Sequence, residues 1–184
     1  MRAEVAVVAL ELFAERGFDS TTVDDIARAA GMSRTSFFRY FPTKEDVVLG
    51  HLGERGQLIA RTLTKRPSDE DPWETLRAAF RSAYETDKSA PDQALGLARM
   101  LQDTPSLKAR HQETQARWQD LLIPEIATRL GIPDDPHDPR PRALVAAALG
   151  CLDAAFQAWT ATNAETDMPT FINQAFDIIT THRK

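Results

Sequence analysis

Within residues 2–41, three helix-forming stretches follow one another, the first two separated by six residues (17–22) and the last two by three (31–33). Val5, Val8, Ala9, Leu12 and Phe13 recur at steps of three and four. That spacing predicts an amphipathic helix from about Arg2 to Arg16, closed by Gly17. Thr22 followed by Asp25 is a capping-box pattern, and it opens a second helix with Val23, Ile26, Ala27 and Ala30 on one face. Gly31 ends that helix. Ser33 then caps a third, with Met32 and Phe37 spaced as a hydrophobic staple, and Pro42 stops it. Thr43 and Asp46 repeat the capping pattern to open a fourth. Helices this short and close, with the second and third joined by a tight turn at Gly31, outline a helix-turn-helix.

The third stretch carries Phe37, Phe38, Tyr40 and Phe41, flanked by Arg34, Arg39 and Lys44. At about 100° per residue, Met32, Phe37 and Phe41 point inward. Thr35, Ser36, Phe38 and Arg39 take the outward arc. Arg34 lies at the N-terminal end, and Tyr40 and Lys44 flank the far end. A helix of this size is roughly 12 Å long, which a major groove about 12 Å wide accepts. Hydroxyls, arginine and an exposed aromatic on one face can bond base edges, touch thymine methyls and hold phosphates. The plainer alternative for Phe38 and Tyr40 is that they complete the core.

The net charge of −5 argues against a uniformly basic nucleic-acid-binding domain. From Ile26 to Lys44, however, there is no Asp or Glu, while Arg28, Arg34, Arg39 and Lys44 all fall inside that window. Such a strip suits a phosphate backbone met along one edge, with a solvated basic face as the alternative. No apolar run approaches the roughly 18–20 residues of a membrane span, and the N-terminal stretch carries acids and lacks a secretory cleavage pattern. A cytoplasmic protein with no membrane partner is expected. The lone Cys151, inside ALVAAALGCLDAAF, reads as a small buried hydrophobe.

Beyond the third helix the spacing stays helical, so the fold class is all-α: a three-helix N-terminal domain over residues 1–48 and a larger helical bundle over 65–184. A connecting helix at about 44–64 carries Val48, Leu52, Arg55, Ile59 and Leu63, interrupted by Gly50, Gly53 and Gly56. Each interior glycine costs on the order of 1 kcal/mol of helix propensity. Close helix packing and a softened connector both account for three of them. A polar, proline-bearing segment at 65–72 marks the domain boundary. Further helices are predicted at about 71–87, 91–102, 106–130 with a kink at Pro124, 142–162 and 169–182.

The last two helices combine small residues with an excess of apolar surface. Ala147, Gly150, Cys151, Ala154, Ala155 and Ala158, with Phe171, Ala175, Ile178 and Ile179, predict a homodimer through a four-helix bundle; an ordinary monomer core is the alternative. Some of Trp73, Phe80, Tyr84, Met100, Trp118, Phe156 and Trp159 are expected to line a pocket for an apolar or amphipathic small molecule, although each also suits plain core. Two-fold symmetry would place two copies of the third helix in successive major grooves, on an inverted repeat of double-stranded DNA.

The stretch Ala9–Val48 resembles the DNA-binding domain of TetR-family transcriptional regulators. The resemblance rests on Gly17-Phe18, Thr21-Thr22-Val23, Ile26-Ala27, Ala30-Gly31, Ser33 and Phe38-Arg39-Tyr40-Phe41-Pro42-Thr43-Lys44. It implies a ligand-responsive regulator, most often a repressor. Arg34, Thr35 and Ser36 would read bases, while Thr22, Tyr40 and Lys44 would touch phosphate. Phe38 stands where many members have Tyr, which removes a phosphate-bonding hydroxyl. The FFRYFPTK variant is similar to a branch with acyl-CoA-binding members, and implies a fatty acyl-type inducer. An enzyme finds little support: the histidines His51, His111, His137 and His182 are scattered, with no Glu-x-x-His pair, phosphate loop or nucleophile elbow, and no cofactor is expected. A helical ligand- or protein-binding module without DNA binding is the other alternative.

Overall fold

A computed structural model describes residues 1–85, 91–132 and 135–181. Among them are nine α-helices: α1 (Arg2–Arg16), α2 (Val23–Ala29), α3 (Arg34–Tyr40), α4 (Glu45–Lys65), α5 (Pro72–Glu85), α6 (Pro91–Asp103), α7 (Pro105–Arg129), α8 (Pro139–Ala161) and α9 (Met168–Thr181). His182, the expected end of the last helix, lies outside the described residues. α7 runs through Pro124 as one helix.

The head, α1–α3, is built from local signals. Thr22 accepts from the Asp25 backbone while the Asp25 carboxylate accepts from the Thr22 backbone, so both halves of the capping box are made. Two hydrogen bonds, Met32 N to Ala27 O and Gly31 N to Arg28 O, close α2 in a Schellman turn. Gly31 sits in that turn at φ 66°, a left-handed conformation that a Cβ disfavours. The turn aims α3, whose Phe37 is fully buried against Phe41 at 5.5 Å between ring centroids. Val5, Ala9 and Phe13 of α1 and Ile26 and Ala27 of α2 complete this small core.

α4 leaves the head and enters the C-terminal bundle, where it packs on α5 and α7. The 65–72 segment is pinned rather than loose. Arg129 of α7, its side chain 3% exposed, donates to the carbonyl oxygens of Leu63 (2.9 Å), Arg66 (3.1 Å) and Pro67 (2.6 Å). A cation at a helix C-terminus also meets the negative end of the helix dipole. Nearby, Arg66 forms an ion pair with Glu70 that holds the Glu70 carboxyl below its ordinary range.

The three α4 glycines, expected on one face with a shared role, occupy different surroundings. Gly56 is buried under Trp118: a Cβ there would overlap the indole Nε1 and lie 2.5 Å from Cδ1. The same indole donates to the Leu52 carbonyl at 3.1 Å. Gly53 is exposed, with nothing within 4 Å of a Cβ, and Gly50 would meet only an Arg2 nitrogen at 3.7 Å. Close packing therefore explains Gly56 alone. Gly56→Ala is expected to lower stability by about 1–3 kcal/mol through overpacking. Gly53→Ala should raise it by about 0.5–1 kcal/mol by removing a helical glycine. Urea unfolding of the two variants checks the contrast.

α8 corrects one expectation, because it is long and apolar enough to meet the criterion for a membrane span. Here it packs against α7, α9 and α5 within the bundle.

Candidate nucleic-acid interface and ligand cavity

On α3 the expected two-faced arrangement is present. Phe37 and Phe41 face inward and Met32 is half-buried against them, while Arg34, Thr35, Phe38 and Arg39 are exposed. Phe38 is 41% exposed, its ring edge-on to Phe37 at 5.6 Å, with the Arg34 guanidinium over it at 5.5 Å. It therefore leans on the core and still presents a face outward. Arg39 lies over the half-buried Tyr40 ring at 5.1 Å and donates to its hydroxyl at 3.4 Å.

The two capping residues read from the sequence, Ser33 and Thr22, make their caps, and other side chains carry local duties that spacing did not show. Ser33 Oγ accepts from the Ser36 backbone at 3.1 Å and donates to Ser36 Oγ at 3.0 Å, so the Ser36 hydroxyl is coupled to the cap. Thr22 Oγ1 donates to Asp25, and this hydrogen bond is the main reason that carboxyl sits below its ordinary range. Arg34 pairs with Asp24 of α2 at 3.1 Å, which brings an acid alongside a strip that is free of acids in sequence. Lys44, expected to grip phosphate, donates its ammonium to the carbonyls of Phe18 (2.7 Å) and Thr21 (3.0 Å), 4.1 Å from the centre of the Phe18 ring. It ties the α1–α2 loop to the start of α4, because those loop carbonyls have no helical partner and a flexible ammonium reaches both.

In the C-terminal bundle a cavity of about 110 Å³ lies between α4, α5, α6, α7, α8 and the start of α9. Its walls are mostly apolar, including Leu52, Leu97, Leu101, Leu152 and Met168. Of the seven residues expected there, the structure brings Tyr84, Phe156 and Trp159 to the wall. Trp73 and Phe80 are sealed in the α5–α9 core around Phe176, at 4.6 and 6.2 Å between ring centroids. Met100 packs against the core without facing the cavity. Trp118 lines a different cleft, of about 650 Å³, between α1, α4 and α7.

The polar part of the cavity was missed from the sequence: Arg55, His111 and Asp153. The Arg55 guanidinium lies over the Tyr84 ring at 4.2 Å. Gln115 of α7 donates to Asp153 Oδ1 of α8 at 2.6 Å and stands 3.3 Å from His111 Nε2. His111 and Gln115 are one helical turn apart, a local signal that could have been read. Asp153 comes from another helix and could not.

The surface expected to pair two copies is divided. Gly150 and Ala154 of α8 and Ile178 and Ile179 of α9 are exposed, with Ala147, Ala158, Phe171 and Ala175 half-buried beside them. Cys151 and Ala155 are instead buried within the protomer: the Cys151 thiol donates to the Ala175 carbonyl at 3.3 Å, and burial raises its pKa. On a helix they fall on the flank that faces α9.

A helix-turn-helix head carried on a helical C-terminal domain defines a DNA-binding transcriptional regulator. Residues 7–50 match the model of the TetR family of bacterial regulatory proteins, and residues 70–184 match the MftR C-terminal domain. The chain belongs to the TetR family, with a C-terminal domain of the MftR type, and is a transcriptional regulator rather than an enzyme.

Among its relatives, the HTH-type transcriptional regulator TcmR of Streptomyces glaucescens is 34% identical over 144 residues, which are 75% of this chain and 63% of TcmR. MftR of Mycobacterium tuberculosis, assigned to regulation of mycofactocin biosynthesis, is 29% identical over 95% of this chain and 87% of its own. The repressor KstR2 of Mycolicibacterium smegmatis is 31% identical over 72% and 68%. The fold is shared with Thermus thermophilus FadR bound to lauroyl-CoA, with a TM-score of 0.62 and 24% identity, covering 100% of this chain and 95% of that one. Bacillus subtilis FadR bound to stearoyl-CoA gives 0.59 and 19%, covering 97% of each chain.

Proposed function

We propose that the protein is a cytoplasmic homodimeric repressor that binds an inverted-repeat operator through α3 and is released by a small amphipathic, fatty acyl-type molecule in the α4–α8 cavity. The observation that carries this reading is the outward arc of α3. Arg34, Thr35, Phe38 and Arg39 are exposed together on a helix held from behind by Phe37 and Phe41. Seven residues make a helix of roughly 10 Å, short enough to lie within a major groove. Ser36, Tyr40 and the capping residues Thr22 and Ser33 lie at its margins, where hydroxyls and helix N-termini suit phosphate oxygens. Lys44 contributes by holding the loop.

The cavity touches α4 through Leu52 and Arg55, so its contents bear on the helix that carries the head. A second route runs along α7. Arg110, next to His111, donates to Asp46 at 3.2 Å, and Asp46 also accepts from the Thr43 backbone just after α3. A ligand favouring a different α4–α7 arrangement would shift the separation of two heads, and so the affinity for DNA, without touching DNA. Fatty acyl chemistry is suggested by the mostly apolar walls and by the acyl-CoA-bound relatives in fold.

The pairing surface is the exposed small-residue stripe of α8 with Ile178 and Ile179 of α9. Light scattering at micromolar concentration should return twice the chain mass of 20.5 kDa for the wild type. Ala154→Arg, which puts a charge into that stripe, should return the single-chain mass. A monomeric wild type would overturn the dimer.

A further inference from the structure

We infer that Asp24 of α2 is a positioning residue for base recognition: it holds the Arg34 guanidinium by one nitrogen and leaves the two-donor edge for a guanine, which this pair of residues selects in each half-site. The inference rests on the reading of α3 as the element that enters the major groove.

Arg34 is held on two sides. Its Nη1 donates to Asp24 Oδ2 at 3.1 Å and to Oδ1 at 3.4 Å, and the guanidinium carbon lies 5.5 Å from the centre of the Phe38 ring. Phe38 in turn stands edge-on to the fully buried Phe37. The guanidinium is thus tied to α2 and to the core of the head, although the side chain is 63% exposed. Among the described residues, both side-chain hydrogen bonds of Arg34 leave from Nη1. The edge they do not use carries Nε and Nη2, whose N–H bonds form a rigid fork. In the major groove guanine offers O6 and N7 as a matching pair of acceptors, whereas adenine puts an amino donor where guanine has O6.

The cap of α2 does not need Asp24. Its capping box uses Asp25, which also pairs with Arg28 at 3.5 Å. An acid beside a groove-reading helix opposes the phosphates and lowers affinity for DNA of any sequence. What Asp24 contributes is order: a long arginine free in solvent settles on phosphate from many rotamers, while one fixed before contact loses less freedom on meeting two acceptors. General affinity falls and discrimination rises. If Asp24 only met the dipole of α2 from its first turn, its loss would touch stability and leave base preference alone.

Selection from a random double-stranded DNA pool by the full-length protein, Asp24→Ala, Arg34→Ala and the double variant tests this. The wild type should prefer guanine about tenfold at one position of each half-site, and Arg34→Ala should lose that preference. Asp24→Ala should cut it to about twofold while binding a labelled duplex of scrambled sequence about threefold more tightly, a gain that a misfolded variant could not give. Adding Asp24→Ala to Arg34→Ala should leave the preference where Arg34→Ala alone puts it, because the two residues act through one contact. An unchanged guanine preference in Asp24→Ala would make Asp24 a repulsive charge only and overturn the inference. So would an enriched repeat with no guanine that depends on Arg34; both results leave α3 as the reading element. If no repeat were enriched, the reading of α3 itself would fall and the inference with it.

Discussion

Arg129→Met is expected to destabilise the protein by about 3–5 kcal/mol, the cost of removing one partner from a buried charged network. The guanidinium binds three carbonyl oxygens around the C-terminal end of α4 and pairs with Glu125 at 3.0 Å. Methionine fills much of the same volume but donates nothing, so the carbonyls of Leu63, Arg66 and Pro67 lose these donors and the Glu125 carboxylate loses its cation. Arg129→Lys should fall between the two, since an ammonium keeps the charge but cannot span the same fork of acceptors. Urea unfolding measures all three proteins. A change below about 1 kcal/mol for Arg129→Met would mean that water replaces the guanidinium there, and that α4 and α7 are not held together at this point.

The second large effect concerns DNA. Arg34→Ala combined with Arg39→Ala should lower operator affinity about a hundredfold or more, from roughly 1–3 kcal/mol for each lost arginine contact. The dependence of affinity on salt should flatten by about 0.9 for every phosphate contact removed. Folding stability should barely move. The Arg34–Asp24 pair is exposed on both sides, and exposed pairs of this kind contribute about 0–1 kcal/mol. Fluorescence anisotropy over a salt series, together with thermal unfolding, separates these outcomes. An affinity within about threefold of wild type would remove α3 as the reading element.

How much of this was legible in the sequence depended on the range of the interaction. The head could be read because its determinants are local: Thr22 with Asp25, Ser33 with Ser36, Gly31 in its turn, Phe37 one helical turn before Phe41. Periodicity placed Phe38 outward, and the structure adds that its ring also leans on Phe37. Lys44 escaped, because its partners Phe18 and Thr21 lie more than twenty residues back in a loop. Gly56 needed Trp118, and the end of α4 needed Arg129, both from α7. The aromatic residues of the bundle show the same limit. Helical spacing gives the inward side of Trp73, Phe80 and Tyr84, but not whether that side meets another helix or a void. Trp73 and Phe80 meet Phe176, and only Tyr84 reaches the cavity. Cys151 and Ala155 likewise sit among small residues in sequence, and only the position of α9 turns them into the protomer's own core.

Selection of bound fragments from a random double-stranded DNA pool tests the central claim most directly. A dimer that reads DNA through α3 enriches one inverted repeat whose half-sites are centred about one helical turn, roughly 10 base pairs, or a multiple of it apart, and the Arg34→Ala, Arg39→Ala variant does not retain it. Recovery of no enriched sequence, or of a site without two-fold symmetry, would contradict it.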